Sequence, residues 1–175
     1  MLSICGQMQR LPVYTIDIED TQLALWQLVH KCISAVLRLR RGVGFLSVPA
    51  RIFSDQCGTR GLSISLLGEP STSAVPLTKL VLHGNNIAVG FGAAVCMQDI
   101  LLQNGMSRQG GAVWAHKAKL TMHRCRIENC EARGGSGGAL YIETSTAELT
   151  HCTFVQNSAL EYGMRLCAAL QAYLS

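Results

Sequence analysis

Eight cysteines stand in this 175-residue chain, and their spacing argues against a metal centre. No Cys-x-x-Cys pair occurs. Neither Cys125 with Cys130 nor Cys152 with Cys167 has zinc-finger spacing, or paired histidines to complete a site. The carboxylates are equally unpromising for catalysis. Between residues 99 and 161 they are Asp99, Glu128, Glu131, Glu143, Glu148 and Glu161, and no two share a strand at i, i+2. Glycosidases need two carboxyl groups about 5–10 Å apart across the substrate. Gly110-Gly111 and Gly137-Gly138 are not phosphate loops, because no Lys-Ser or Lys-Thr completes them. The expectation is therefore no catalytic residue, no metal and no cofactor. The remaining chemistry is recognition, by Trp114, Tyr141, His116, Lys117, Lys119 and Arg126.

The elements that position these residues follow from an internal repeat. Gly110-Gly111-Ala112-Val113-Trp114 lies over Gly137-Gly138-Ala139-Leu140-Tyr141 at an offset of 27, without a gap. The same offset sets Met122 over Leu149, Cys125 over Cys152, Ile127 over Phe154 and Ala132 over Ala159. A weaker copy precedes it, with Val95 and Ile100 falling 27 before Met122 and Ile127 and Ile87 fitting better at 26. Inside each repeat the apolar residues alternate, as in short strands with one buried face. Such closely spaced strands lack hairpin turns and pair best with the next repeat. The pattern predicts an all-β fold, a right-handed parallel β-helix solenoid with an N-terminal amphipathic capping helix.

That helix is expected over Thr21–Arg41, where Leu25, Trp26, Leu28, Val29, Cys32, Ile33, Val36, Leu37 and Leu39 share one arc, with Gly42 as its stop. The organisation expected is an N-terminal segment at 1–41, rungs at 42–160, and a degenerate tail or C-terminal cap at 161–175 with a short helix over Met164–Leu174. Val43–Val48, Leu62–Leu67, Leu80–Leu82 and Ile87–Val89 read as irregular first turns, with a loop at Gly68–Pro76. The start of the chain carries Asp17, Glu19 and Asp20 and does not read as a signal peptide. His30, Lys31 and Arg38 break the run that a membrane span needs. A net charge of +4 falls short of the basic stripe of a nucleic-acid binder.

Gly-Phe-Leu-Ser-Val-Pro at 44–49, Leu-Ser-Ile-Ser-Leu-Leu-Gly at 62–68 and Ile-Leu-Leu-Gln-Asn-Gly at 100–105 resemble the start of a pectin-lyase-like right-handed β-helix. The Gly-Gly-Ala boxes, with Phe154-Val-Gln-Asn157 after them, resemble the repeat of the polymorphic outer membrane protein family of surface-displayed autotransporter passengers. The resemblance spans about residues 40–160. It implies an extracellular or cell-surface location and a noncatalytic structural or adhesive role. Its ligand class would be a polysaccharide or cell-surface glycan. The alternative is a fragment of a carbohydrate-active enzyme, a polysaccharide lyase or hydrolase.

Strand parity makes the expectations specific. Val113, Leu120, Met122, Ile127, Leu140, Ile142, Leu149 and Phe154 should be buried. Trp114 and Tyr141 should face outward as an aromatic ladder, beside a basic strip of His116, Lys117, Lys119, Arg124 and Arg126 that would attract acidic glycans. Asp99 should lie beside Arg126 and His116 beside Glu143. Asn104 and Asn157 should take left-handed backbone at strand ends. Cys125 and Cys152 should be free thiols, since strands about 4.8 Å apart hold parallel Cβ atoms too far apart for a relaxed disulfide.

Overall fold

A computed structural model describes residues 11–55, 57, 61–71, 76 and 78–160, and the backbone of Arg165–Cys167. The chain begins with β1 (Val13–Ile16), a 3-10 turn at Ile18–Asp20 and α1 (Thr21–His30). Short strands follow: β2 (Ala35–Leu39), β3 (Gly42–Phe45), β4 (Ala50–Phe53), β5 (Ser63–Leu67), β6 (Thr78–Val81) and β7 (Ile87–Gly90). Then come β8 (Ala94–Gln98), β9 (Ile100–Gln103), β10 (Met106–Ser107), β11 (Val113–His116), β12 (Lys119–His123), β13 (Arg126–Glu128) and β14 (Glu131–Ala132). The last are β15 (Leu140–Glu143), β16 (Thr146–Thr150), β17 (Thr153–Val155), β18 (Ser158–Ala159) and β19 (Arg165–Cys167).

The fold is all-β, built from four parallel sheets. Sheet I is β1-β2-β5-β8-β12-β16, sheet II β3-β6-β9-β13-β17, sheet III β4-β7-β11-β15-β19 and the short sheet IV β10-β14-β18. From β2 onward the chain visits sheets I, II and III in the same order on five passes, and the last three passes insert a sheet IV strand between II and III. In the final repeat Val113 faces Leu140, Leu120 faces Ala147, Ile127 faces Phe154 and Ala132 faces Ala159, each at the offset of 27 read from the sequence. One pass earlier the spacing is shorter than expected. Val95 faces Leu120 and Leu102 faces Ile127, an offset of 25, whereas Ile87 faces Val113 at the 26 read from the sequence. The difference sits in one loop: Ala132 to Leu140 is two residues longer than the equivalent Ser107 to Val113.

The interior is lined by one parity of each strand. Val113, Leu120, Met122, Ile127, Leu140 and Ile142 are fully buried and Leu149 nearly so. Phe154 departs from expectation: it points inward but is only half-buried, because β17 is the last strand of sheet II.

The corners between sheets are single residues in left-handed backbone, stacked in columns. Phe91, Lys117 and Thr144 form one column, Asp99, Arg124 and His151 a second, Asn104, Asn129 and Gln156 a third, all with φ between 49° and 57° except Arg124 at 47°. Left-handed backbone costs a residue with a Cβ roughly 1–2 kcal/mol. The cost is offset because the N–H groups of Phe91, Lys117, Asp99, Arg124, Asn104 and Asn129 continue the ladder, as in Asp99 N–H to His123 O at 3.1 Å and Arg124 N–H to Thr150 O at 3.0 Å. Asn104 fits this use, but Asn157 does not. Gln156 takes the corner, and the Asn157 side chain accepts from Cys130 N–H and donates to Ile127 O in the preceding pass. The Gly-Gly boxes are turns: Gly110 and Gly137 have φ of +64° and +79°. A Cβ on Gly111 would come within 2.1 Å of Gly138 O, so only glycine fits under the neighbouring box.

The helix is shorter than expected. α1 ends at His30 with Cys32 at φ 52°, where Ile33 N–H bonds Leu28 O at 2.8 Å and Cys32 N–H bonds Val29 O at 3.1 Å, a Schellman closure. Residues 35–39, expected as its last turns, are strand β2 inside sheet I. The alternation of Ala35, Leu37 and Leu39 is a period of two that overlaps a helical arc, and pairing with β5 decides between them. The Met164–Leu174 helix is also corrected where the chain is described: Arg165–Cys167 is a strand paired with Tyr141–Glu143. The rest of that segment, like residues 72–75 of the expected loop, lies outside the described residues.

Candidate functional site

The outer face of sheet III gathers aromatic side chains from four passes. The register lines up Arg51, Ala88, Trp114 and Tyr141 in one column and Phe53, Gly90, His116 and Glu143 in the next. Gly90 leaves a gap in the second column, and the Phe53 ring lies across it. A Cβ there would sit 3.1 Å from two of the ring carbons. Phe53 thereby reaches the corner residue Phe91, ring centroids 5.4 Å apart and edge to face, and Trp114 at 6.3 Å. Trp114 stacks on His116 at 5.6 Å with an interplanar angle of 14°, and His116 also meets Phe91 at 6.0 Å. The imidazole is tied at Nδ1 to the Glu143 carboxylate, 3.1 Å away at the expected 27-residue offset. Phe91 is the most exposed ring of the group, at 45%.

This cluster revises the expected ladder and strip. Trp114 and Tyr141 are register partners, but Tyr141 is buried between β11 and β19, against the turn at Gly137, and offers no open face. Lys117 stands exposed at the corner next to His116, whereas Lys119 begins β12 in sheet I and Arg126 lies on sheet II, so these cations do not form one strip. Arg126 donates through Nε to Glu128 at 2.8 Å. Phe53 and Phe91 were missed in the sequence, because the pass carrying Phe53 stands 37 residues from its partner and shows no repeat.

A second polar group occupies the corner column of Asp99, Arg124 and His151. Asp99 is not the exposed neighbour of Arg126 that the sequence suggested. It is buried beneath Arg124, which donates through Nε and Nη2 to its two oxygens at 2.7 Å each, while Gln98 adds a third bond at 3.0 Å. The 25-residue offset puts residue 124 at that place. Burial by itself would raise the Asp99 carboxyl, but the bonds from Arg124 and Gln98 and the guanidinium charge outweigh it and hold the group below the usual carboxylate range. The Arg124 Nη1 lies 2.5 Å from Nε2 of His123. Donation from a guanidinium requires that ring nitrogen to be an acceptor, which places the His123 proton on Nδ1. Burial, then the charge of Arg124, lowers the His123 pKa. The buried Nδ1 has no hydrogen-bond partner among the described residues.

Cys125 and Cys152 stack as expected, both free, Cys125 buried and Cys152 half-buried. Burial pushes the Cys125 thiol up and the Cys130 thiol up to about 11, so both stay protonated. Cys32 and Cys57, which spacing gave no reason to pair, form a disulfide with Cα atoms 5.4 Å apart. Among the described residues no group of three or more side chains could hold a metal ion, and no helix is long and apolar enough to cross a membrane. No family model, curated protein or solved structure matches the chain.

Proposed function

We propose that the chain is a right-handed parallel β-helix solenoid, with α1 capping its N-terminal end. Its role is that of a noncatalytic, surface-associated structural or adhesive protein that binds glycans on the outer face of sheet III. The observation that carries the binding reading is the contiguous aromatic surface of Phe53, Phe91, Trp114 and His116, with the Glu143 carboxylate at its border. Sugar rings present C–H faces to aromatic rings and hydroxyls to carboxylate and imidazole. The dispersal of Lys119 and Arg126 and the presence of Glu143 favour a neutral glycan over an acidic one. The noncatalytic reading is supported by the engagement of four of the six repeat carboxylates: Asp99, Glu128, Glu131 and Glu143 each bind a cationic side chain or histidine. The Cys32–Cys57 disulfide accords with an oxidising, extracellular setting.

Retention on gels carrying neutral polysaccharides tests this. The wild-type chain should be retarded at low and high salt alike, and Phe91→Ala and Trp114→Ala should lose retardation with circular dichroism unchanged. Equal retardation of wild type and both variants would refute binding at this face.

A further inference from the structure

The register that stacks the passes also stacks two thiols. Arg126 faces Leu101 on one side and Thr153 on the other, so the residues just before these, Ile100, Cys125 and Cys152, form one column. The column begins sheet II, directly after the left-handed corners Asp99, Arg124 and His151. Ile100 and Cys125 belong to the buried core and Cys152 packs against it, so an aliphatic column turns to sulfur for two consecutive passes. Both cysteines are free, whereas Cys32 and Cys57 are bonded to each other.

Three features say what this pair takes. First, side chains stacked in parallel on neighbouring strands keep their Cβ atoms about 4.8 Å apart, beyond the roughly 3.8 Å of a relaxed disulfide. Two metal–thiolate bonds of about 2.3 Å laid end to end span about 4.6 Å, which matches that spacing. Second, the sulfurs are ringed by carbonyl oxygens. Cys125 Sγ lies 3.5 Å from His123 O, and Cys152 Sγ lies 3.5 Å from both Met122 O and Thr150 O. As thiols the two donate to these carbonyls; as bare thiolates they would face the negative ends of the same dipoles, so losing both protons needs a cation between them. Third, Cys125 lines a cavity of about 180 Å³ whose wall carries Arg124, Arg126 and His151. Arg124 and His151 are exposed, so the cavity gives an ion a way in and sets positive charge beside an anionic complex. Among the described residues no third thiol, imidazole or carboxylate completes a cluster, which disfavours tetrahedral zinc.

We infer that Cys125 and Cys152 form a two-coordinate site for a soft monovalent cation, copper(I), held between two stacked thiolates. Soft thiolate ligands select this ion, and two of them in line suffice for it. One copper(I) ion and two thiols give a bis-thiolate complex with one net negative charge, and both thiol protons leave to water. No oxidation state changes.

The test is an anaerobic titration of the full chain with copper(I) in competition with bicinchoninate, a chromogenic copper(I) chelator. One equivalent should transfer to the protein, and zinc(II) at the same concentration should not displace it. X-ray absorption of the loaded wild type should show two sulfur neighbours and the intense edge feature of linear copper(I). Cys125→Ser and Cys152→Ser should each weaken binding by more than the roughly 10–100-fold that loss of an outer-shell partner costs a metal site. Cys130→Ser, which removes the other buried free thiol among the described residues, should leave binding unchanged. No transfer to the wild type, a third sulfur or a nitrogen neighbour in its spectrum, displacement by zinc(II), or binding that survives loss of either stacked thiol would overturn the inference. The wild-type titration and spectrum decide the matter even if a serine variant fails to fold.

Discussion

Asp99 illustrates how much a two-residue change of register alters the chemistry at one position. An offset of 27 puts it in solvent beside Arg126; the actual 25 buries it under Arg124. Its depressed pKa means the folded state holds the carboxylate more strongly than the unfolded chain does. That stability is fully present above the unfolded value of about 3.9 and is lost as pH falls through the folded value. His123 has a lowered pKa too, with Arg124, Asp99 and His151 around it, so its contribution is present above about 6.5 and declines as pH drops. Urea midpoints should therefore fall in two steps, the first as pH drops below about 6.5 and the second as it drops below about 4. His123→Gln should flatten the first and Asp99→Asn the second. Identical pH profiles for wild type and both variants would contradict these assignments. None of this was legible beforehand. Several left-handed corners are held by Arg124, Lys117, Phe91, Thr144 and Gln156, residue types whose propensities do not announce that backbone, and Asn104 was the corner residue the sequence pointed to.

At the level of elements, the sequence was clearest where strands repeat and least clear where they do not. The parity of β11, β12, β13 and β15 identified the inner residues because alternation persists across consecutive passes. It misplaced the end of α1 because Ile33, Leu37 and Leu39 satisfy both a helical arc and a strand period, and only the parallel partner β5 separates them. The Schellman turn at Cys32 lacks the usual glycine, and its left-handed residue is the one bonded to Cys57. Replacing both cysteines by Ser should lower stability by about 3.5 kcal/mol on the chain-entropy relation for a loop of this size, where the two residues stand 25 apart. Denaturant unfolding of the double variant checks this, and a loss under about 1 kcal/mol would show that the tie constrains little. Burial sets a second expectation. Ile127→Ala, inside a central pass, should cost about 2–5 kcal/mol. Phe154→Ala should cost less than Ile127→Ala despite its larger side chain, since its ring is half-exposed on the last strand of sheet II. Unfolding midpoints give the order, and the reverse order would mean another element covers Phe154.

For the whole molecule, the gapless 27-residue repeat carried the parallel architecture, because strands too short to stand alone must pair with their own copies. It did not carry the binding face. Phe53 arrives from an irregular early pass and crosses the space left by Gly90, a juxtaposition that exists only once β4, β7 and β11 have paired. The aromatic surface depends on that parallel pairing and its register. Through-space proton contacts measured by nuclear magnetic resonance test it most directly. Val113 should show parallel-strand contacts on one side to the Ile87 strand and on the other to the Leu140 strand, with Leu120 likewise between Val95 and Ala147. Antiparallel contacts, or contacts of Val113 to only one of its two neighbours, would contradict the stacked passes and remove the face on which Phe53, Phe91 and Trp114 meet.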